Sequence, residues 1–182
     1  MVSKEENAIM LKKIKGRRSV RNFQEKPVPR EELLQLVEAA IWAPSGSNTQ
    51  AWSFILVETK QKIEKLSAVS PGLLGQPPAL IALLRDLEGA YLKGGELSRD
   101  LLSLMDLSMA AQNMMLMAHE LGLGTCAIRG FHQQSASSLL SLPEEMSLEL
   151  LLAVGYPAAV PKAPSRKPVE EVVFYEQYGE EA

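Results

Sequence analysis

Residues 98–131 read SRDLLSLMDLSMAAQNMMLMAHELGLGTCAIRGF, and this stretch decides the fold of the chain. From Leu101 to Leu121 it contains no Pro, no Gly and no β-branched residue, and the strong helix formers Ala, Leu and Met dominate it. Ser98 is a suitable N-cap, and Gly122 can end the helix in the left-handed conformation. The stretch therefore predicts one long helix that ends in a turn.

The apolar side chains of this helix cover nearly its whole circumference instead of one stripe. They include five of the eight Met residues of the chain, and Met fills irregular gaps at contact surfaces. A helix that is apolar all round lies in a core or in a subunit interface. We favour both, with one side in the core and the other against a partner. The central helix of a monomeric domain is the alternative.

Length and composition place the chain in a broad class. Its 182 residues suit a single domain, 1–182, with a real core. A net charge of −3 argues against bulk nucleic-acid affinity, and a single Cys excludes an internal disulfide framework. The N-terminus has no apolar signal region, and no apolar run approaches the roughly 18 residues that span a bilayer. We expect a cytoplasmic protein that contacts neither nucleic acid nor membrane.

Hydrophobic periodicity and turn residues divide the rest of the chain into short elements. Helices are predicted over 4–15, 31–42, 61–69 and 133–142, and strands over 52–58, 79–84 and 148–156. The polar, glycine-containing segment 85–95 predicts a surface segment or lid. Four prolines between 157 and 168 predict an extended C-terminal arm, about 157–182, with a short strand at 172–175. The glycines at 122 and 124 follow a helix, which argues against a Rossmann site.

Two polar segments are candidate binding sites. Arg17, Ser19 and Arg21 project to one side if their segment is extended, and two guanidiniums with a hydroxyl suit a phosphate or another anion. A solvated basic face and an RNA-binding arm are the alternatives. Residues 43–52 are dense in small donors and acceptors. That segment is either a polar turn or a loop that hydrogen-bonds a polar ring or chain.

Few residues of this chain suit acid–base or metal chemistry. His119 and His132 have no Cys/His/Asp cluster around them, so no metal site is predicted. Cys126 lacks a recognisable base and is assigned to packing. Nucleophile-elbow and P-loop motifs do not occur. A chain rich in Arg and small donors but short of acids and bases suggests a cofactor that performs the chemistry itself.

Four stretches together resemble the flavin-dependent nitroreductase family. They are RRSVRNF at 17–23, APSGSNTQAWSF at 43–54, the run from Gln112-Asn113 through GLGTC at 122–126, and the tail from Ser165 to Val173. The resemblance implies an α+β fold with a mostly antiparallel central sheet flanked by helices. It also implies an intertwined homodimer with two FMN sites at the interface, each built from both chains, and a C-terminal arm that wraps the partner subunit.

The resemblance also implies roles for individual residues. Arg17, Arg18 and Ser19 would hold the FMN phosphate and ribityl chain, and Arg166 would close on the phosphate. Arg21 would stabilise negative charge on the N1 side of the reduced ring. The residues expected from the loop of the other subunit are Pro44, Ser45, Gly46 and Asn48. Gln50 would meet the ring from the same chain as Arg21, and the turn Ile128, Arg129 and Gly130 would offer backbone N–H groups to the ring.

The implied activity is a ping-pong oxidoreductase reaction. NADH or NADPH would give hydride to flavin N5, and a small-molecule acceptor such as a nitroaromatic, quinone or enone would then be reduced. No side chain is assigned as acid or base. Three alternatives remain open: an FMN-binding sensor or store without turnover, a flavin-cleaving or dehalogenating member of the same fold, and an RNA-binding module that uses the basic cluster at 12–21.

Overall fold

The computed structural model describes residues 4–179, with side chains described from Ala8 onward. Its helices and strands follow one another in an α+β order. The helices are α1 (Lys4–Gly16), α2 (Arg30–Ile41), α3 (Lys60–Ala68), α4 (Leu87–Leu97), α5 (Ser103–Glu120) and α6 (Gln133–Leu139). The strands are β1 (Trp52–Val57), β2 (Ala79–Asp86), β3 (Gly124–Ile128) and β4 (Met146–Gly155). Short 3-10 turns occupy Gly46–Asn48 and Val169–Glu171, and a π-helical turn occupies Ser98–Leu102.

The four strands form one antiparallel sheet in the order β1-β2-β4-β3. The central strands β2 and β4 are apolar runs because helices cover both faces of the sheet. Alternate residues of β2 enter different cores: Leu80, Ala82 and Leu84 join one cluster, whereas Ile81 and Leu83 join the other. The predicted antiparallel sheet with flanking helices is therefore confirmed.

Each core is completed by helices from one side of the sheet. Residues of α3 and α6, such as Leu66 and Ala136, fill the first core. The second is filled by α2 and α5, through residues such as Leu36 and Met114. Asn113 on α5 also donates a 3.2 Å hydrogen bond to the Ala39 carbonyl of α2. The long helix thus lies against the sheet, as its composition predicted.

The helical stretch that contains α5 starts earlier than the sequence predicted. Helical structure runs from Leu87, through α4 and the π-helical turn, to Glu120, with one kink at Gly95, whose φ of +67° is not helical. Asp86 caps its start by accepting a 2.8 Å hydrogen bond from the Gly89 N–H. The expected cap at Ser98 is wrong, because Asp86 caps the stretch earlier and Ser98 is buried inside it. The segment predicted at 85–95 as surface or lid is exposed or half-buried except at Ala90, and from Leu87 onward it is helical.

This stretch also changes one expectation about membranes. Among the described residues, Leu87–Glu120 is long and apolar enough to cross a bilayer by length and composition. The sequence analysis expected no apolar run of that length, and this stretch is the exception. However, Ser103 and Asp106 are buried in the fold, and α5 packs against α2 and the sheet. We therefore interpret the stretch as the core helix of this fold.

The turn residues predicted the end of the central helix correctly, but one other helix end and one strand differ from the prediction. Gly122 ends the α5 region with φ of +75°, as predicted. The helix predicted to reach residue 142 ends at Leu139, and Ser141 takes a positive φ of 56°. The strand predicted at 172–175 is not formed within the described residues, because no strand of the same chain lies beside it to complete a ladder.

The C-terminal arm leaves the domain after β4. Its first residues are fixed, since Phe23 forms a bridge with Pro157 and the Ala158 N–H donates to the Asn22 carbonyl at 3.0 Å. From Ala158 to Gly179 every residue is exposed, including apolar side chains such as Val172. The described part of the arm is therefore exposed along its length and contains one 3-10 turn, and the predicted extended arm over about 157–182 stays a prediction. Residues 180–182 lie outside the described range.

Candidate functional site

The basic segment after α1 runs along the edge strand β3. Ser19 forms a parallel bridge with Thr125, and the Val20 N–H donates to the Thr125 carbonyl at 2.8 Å. A Cβ at Gly124 would lie 2.7 Å from Val20 side-chain atoms, so only glycine permits this approach. The segment is extended, and alternate side chains therefore project to opposite sides.

The three arginines of this segment are not equivalent. The Arg18 guanidinium donates to the carbonyls of Lys15 and Arg17, at 2.6 and 2.8 Å, and so stabilises the end of α1. The guanidiniums of Arg17 and Arg21 make no hydrogen bond or ion pair within the described chain. Two unpaired cations are therefore available to an anion beside β3.

The turn after β3 lies against the loop at 70–75. The Gly72 N–H donates to the Gly130 carbonyl at 2.8 Å. Gly75 has φ of +80°, and a Cβ there would clash with the Arg21 carbonyl. Within the described part of the chain, the N–H groups of Arg129 and Gly130 donate no hydrogen bond. The turn therefore presents free backbone donors near the segment that carries Arg21.

The Arg129 side chain is already engaged by its neighbours. Its guanidinium lies 3.8 Å from the Glu149 carboxylate, 3.3 Å from Gln133 Oε1 and 5.0 Å from the Phe131 ring centroid. Glu149 is only 5% exposed and also pairs with Arg85 at 2.7 Å. This arrangement agrees with the expectation that Arg129 contacts the ring through its backbone N–H and not through its charge. That role stays a prediction.

The polar loop at 43–50 has an unusual backbone. Ser47, Asn48 and Gln50 have positive φ values of 50°, 54° and 50°. Such values are uncommon outside glycine, and they cluster at functional sites where the surroundings enforce them. The Gln50 N–H donates to Ser45 Oγ at 3.1 Å, which closes the loop on itself.

A buried carboxylate on α5 holds this loop. Asp106 is 4% exposed, and the Gly46 N–H donates to its two oxygens at 3.2 and 3.3 Å. Burial raises the pKa of Asp106 above its ordinary value, and the hydrogen bond from Gly46 opposes this only in part. The neutral form of Asp106 is therefore favoured more in the folded chain than in the unfolded chain.

This pKa shift predicts a pH-dependent effect of Asp106→Asn. Folding raises the pKa of Asp106 above its unfolded value of about 3.9. The folded protein is therefore most stable while Asp106 is neutral, and its free energy of unfolding falls as pH rises from about 3.9 through the folded pKa. The variant has no such loss. Urea unfolding at several pH values from about 4 to 7 should show the wild type losing stability relative to Asp106→Asn as pH rises, then levelling off. A constant difference between the two proteins would contradict the assignment.

The two candidate segments lie at opposite ends of α5. Gly46 contacts Asp106, whereas Gly16 lies so close to His119 that a Cβ there would be 2.6 Å from the His119 ring. Thirteen residues of α-helix separate these positions, which is about 20 Å. Within one chain Ser19 lies beside Thr125 of β3, and the Arg21 carbonyl lies beside Gly75, in the loop whose Gly72 bonds to Gly130. The loop with Pro44, Ser45, Gly46 and Asn48 lies at the other end of α5 from Gly16.

Gln50 belongs with its own loop. It directly precedes the region of β1, whereas Arg21 runs beside β3, at the opposite edge of the sheet. Three strand spacings, about 14 Å, separate these edges. The expectation that Gln50 and Arg21 of one chain meet the same ring stays a prediction.

Arg166 lies on the exposed arm. Its guanidinium donates to the Ser165 carbonyl at 2.9 Å and makes no other hydrogen bond or ion pair within the described chain. It is therefore an unpaired cation on an extended segment, and its predicted closure on a phosphate stays a prediction.

Sequence reasoning missed two parts of the site. The loop at 70–75 supports both Arg21 and Gly130, and its two glycines were the available signal. Asp106 was passed over as one polar residue in an apolar helix, although its position between Met105 and Leu107 was the signal for a buried charge.

Comparison with known proteins decides the family. The sequence model of the nitroreductase family matches residues 14–74 and 67–156. The chain belongs to the nitroreductase family. This family member is 31% identical over 182 residues to a Bacillus subtilis FMN reductase (NADPH), an alignment that covers 90% of this chain and 71% of the relative.

Two further relatives agree with this assignment. Another Bacillus subtilis protein, an FMN reductase [NAD(P)H], is 29% identical, with 93% of this chain and 74% of the relative covered. An FMN-dependent nitroreductase from Clostridium difficile R20291 has a solved structure that superposes with a TM-score of 0.80 at 28% identity. That comparison covers 93% of this nitroreductase-family chain and all of the solved chain, at 100%. The nitroreductase fold predicted from the sequence is confirmed.

Proposed function

We propose that this protein transfers electrons from NADH or NADPH to a small acceptor such as a nitroaromatic, quinone or enone. By class it is an FMN-dependent NAD(P)H oxidoreductase of the nitroreductase family. When bound, FMN would supply the redox chemistry, a transfer of hydride from the nicotinamide and of electrons to the acceptor. The protein contributes binding, orientation and electrostatics, and no side chain is needed as an acid or base.

The observation that carries this proposal is the combination of groups beside β3. Arg17 and Arg21 have unpaired guanidiniums, and the nearby turn has free N–H groups at Arg129 and Gly130. A phosphate takes guanidinium donors, and the N5 and O4 atoms of a flavin take N–H donors. The donor set therefore fits the two chemically different ends of FMN.

Each residue then has a defined task. Arg17 and Ser19 bind the phosphate and ribityl chain, and Arg166 closes on the phosphate from the arm. Arg18 contributes mainly by fixing the end of α1, since its guanidinium is bonded to backbone carbonyls there. Arg21 stabilises negative charge that gathers on the N1 side of the ring upon reduction.

The site is completed by a second copy of the chain in our proposal. The loop at 44–48 lies about 20 Å from Arg17 in its own chain, too far to contact the same ring. The face of α5 opposite the core is apolar and exposed, with Met105 52% exposed, and Trp42, at the end of α2, is 80% exposed. Exposed apolar patches mark contact surfaces. We therefore propose an intertwined homodimer in which the arm wraps the partner, and we expect it in the cytoplasm.

The first test is the visible absorption spectrum of the purified protein before and after anaerobic addition of NADH or NADPH. A flavin spectrum that bleaches with either nucleotide supports the proposal and identifies the donor. A flavin that stays oxidised with both would instead favour a sensor or another reductant. No bound flavin after incubation with FMN would contradict the assignment of the site.

Replacing Arg21 by Ala should lower the flavin potential and slow reduction by NAD(P)H, because a cation near the N1 side favours the reduced, negatively charged ring. A loss of about 1.4 kcal/mol corresponds to about 30 mV for a two-electron couple and to about tenfold in rate. Anaerobic redox titration and stopped-flow reduction measure both quantities. Arg21→Lys, which keeps the charge, is the matched control, and an unchanged potential in Arg21→Ala would refute the role.

A further inference from the structure

Asp106 is an unusual residue for the place it occupies. The face of α5 around it is apolar, with Leu107, Ala110 and Met114 all buried. No cation pairs with the Asp106 carboxylate in the described chain, and the Gly46 N–H is its hydrogen-bond partner. Burial of an unpaired acid is unfavourable. The presence of this buried carboxylate therefore indicates that its hydrogen bond with the Gly46 N–H has a structural role.

The loop that receives this bond needs an external support. Ser47 and Asn48 have positive φ, which is uncommon outside glycine; Asn tolerates it better than most residues, whereas at Ser47 it points to support from the surroundings. Gly46 is packed so tightly that a Cβ there would lie 3.2 Å from Leu102 Cδ1. Within the described residues, the Gly46 N–H is the only backbone group of 44–48 that bonds outside the loop.

We propose that Asp106 is a positioning residue for the flavin site. By accepting the Gly46 N–H, it holds Pro44–Asn48 in the shape that contacts the flavin bound mainly by the other subunit. This inference rests on the proposed function. Asp106 acts through the loop and does not touch the cofactor, so its effect passes from the core helix of one subunit to the site shared with the second.

The test compares three variants of the full-length dimeric protein. Asp106→Ala removes the acceptor, Asp106→Asn keeps one oxygen acceptor, and Asp100→Ala removes an exposed acid of the same helical stretch. Flavin fluorescence quenching gives the FMN dissociation constant, and hydrogen exchange with mass spectrometry reports on residues 44–50. We expect Asp106→Ala to weaken FMN binding about tenfold and to speed exchange in the loop. Asp106→Asn should restore both within about threefold, and Asp100→Ala should leave both unchanged.

Several results would overturn the inference. Wild-type FMN affinity and loop exchange in Asp106→Ala would show that the bond does not hold the loop. Faster exchange with unchanged FMN affinity would show that the loop does not position the flavin. If Asp106→Ala does not fold, Asp106→Ser, whose hydroxyl is too short to reach Gly46, replaces it with the same expectations. Wild-type protein that binds no FMN would instead refute the proposed function, and the exchange data would still decide whether Asp106 holds the loop.

Discussion

Replacing Arg17 by Ala is expected to weaken FMN binding by about 10- to 100-fold, because a charge-assisted hydrogen bond to an ion contributes about 1.5–3 kcal/mol. The Arg17 guanidinium has no partner within the described chain, so no internal ion pair is broken by the change. Fluorescence titration of the apoprotein with FMN measures the effect. Titration with riboflavin, which lacks the phosphate, shows whether the loss is specific to the phosphate end.

Arg30→Ala is the matched control for this prediction. Arg30 is an exposed arginine that pairs with Glu58 at 2.8 Å, and an exposed ion pair contributes little to stability. Its removal should leave the affinities for FMN and riboflavin as in the wild type. Arg17→Ala should lose the preference for FMN over riboflavin. Retention of that preference would show that the phosphate binds elsewhere.

Combining two impaired variants in one dimer is expected to restore about half of the wild-type activity. If each site takes Arg17 from one chain and the loop from the other, a mixed dimer of Arg17→Ala and Asn48→Gly contains one site with both defects and one intact site. Glycine is used at position 48 because it tolerates the φ of 54° there. Two affinity tags allow purification of the mixed dimer, whose flavin content and NAD(P)H oxidation are then measured.

A site contained within a single chain gives a different result. Every site of the mixed dimer would then carry one defect, and activity would equal the mean of the two parent variants. The parent homodimers, carried through the same tagging and purification, provide that reference. A protein that stays monomeric at assay concentration would contradict the shared site directly.

Local sequence rules correctly predicted the elements that depend mainly on residues close to them in the chain. The segment from Leu101 to Leu121 is helical and Gly122 ends it, because propensity and the left-handed turn act within a few residues. The apolar run of β2 is a buried strand for a similar reason, since a short run between loops fits a sheet covered on both faces.

The same rules failed where distant contacts decide the outcome. The helix α4, Leu87–Leu97, contains glycines at 89, 94 and 95, yet it forms, with a kink at Gly95, because Asp86 caps it and Ala90 is buried. Val172–Tyr175 has the composition of a strand, but a strand needs a partner, and the described chain provides none. Strand order cannot be read from local periodicity either, so the sequence did not show that Gln50 and Arg21 lie near opposite edges of the sheet.

The sequence by itself determined the long core helix, the alternation of apolar strands and polar loops, and the closely spaced arginines that we propose to bind an anion. Those features depend on composition and spacing, which act locally. Only the tertiary structure decided that Arg17 and Arg21 are unpaired beside a turn with free N–H groups, that Arg18 is engaged by α1, and that the 44–48 loop is held by Asp106. Hydrogen-bond partners and burial depend on residues far apart in the chain, and only the folded packing brings those residues together.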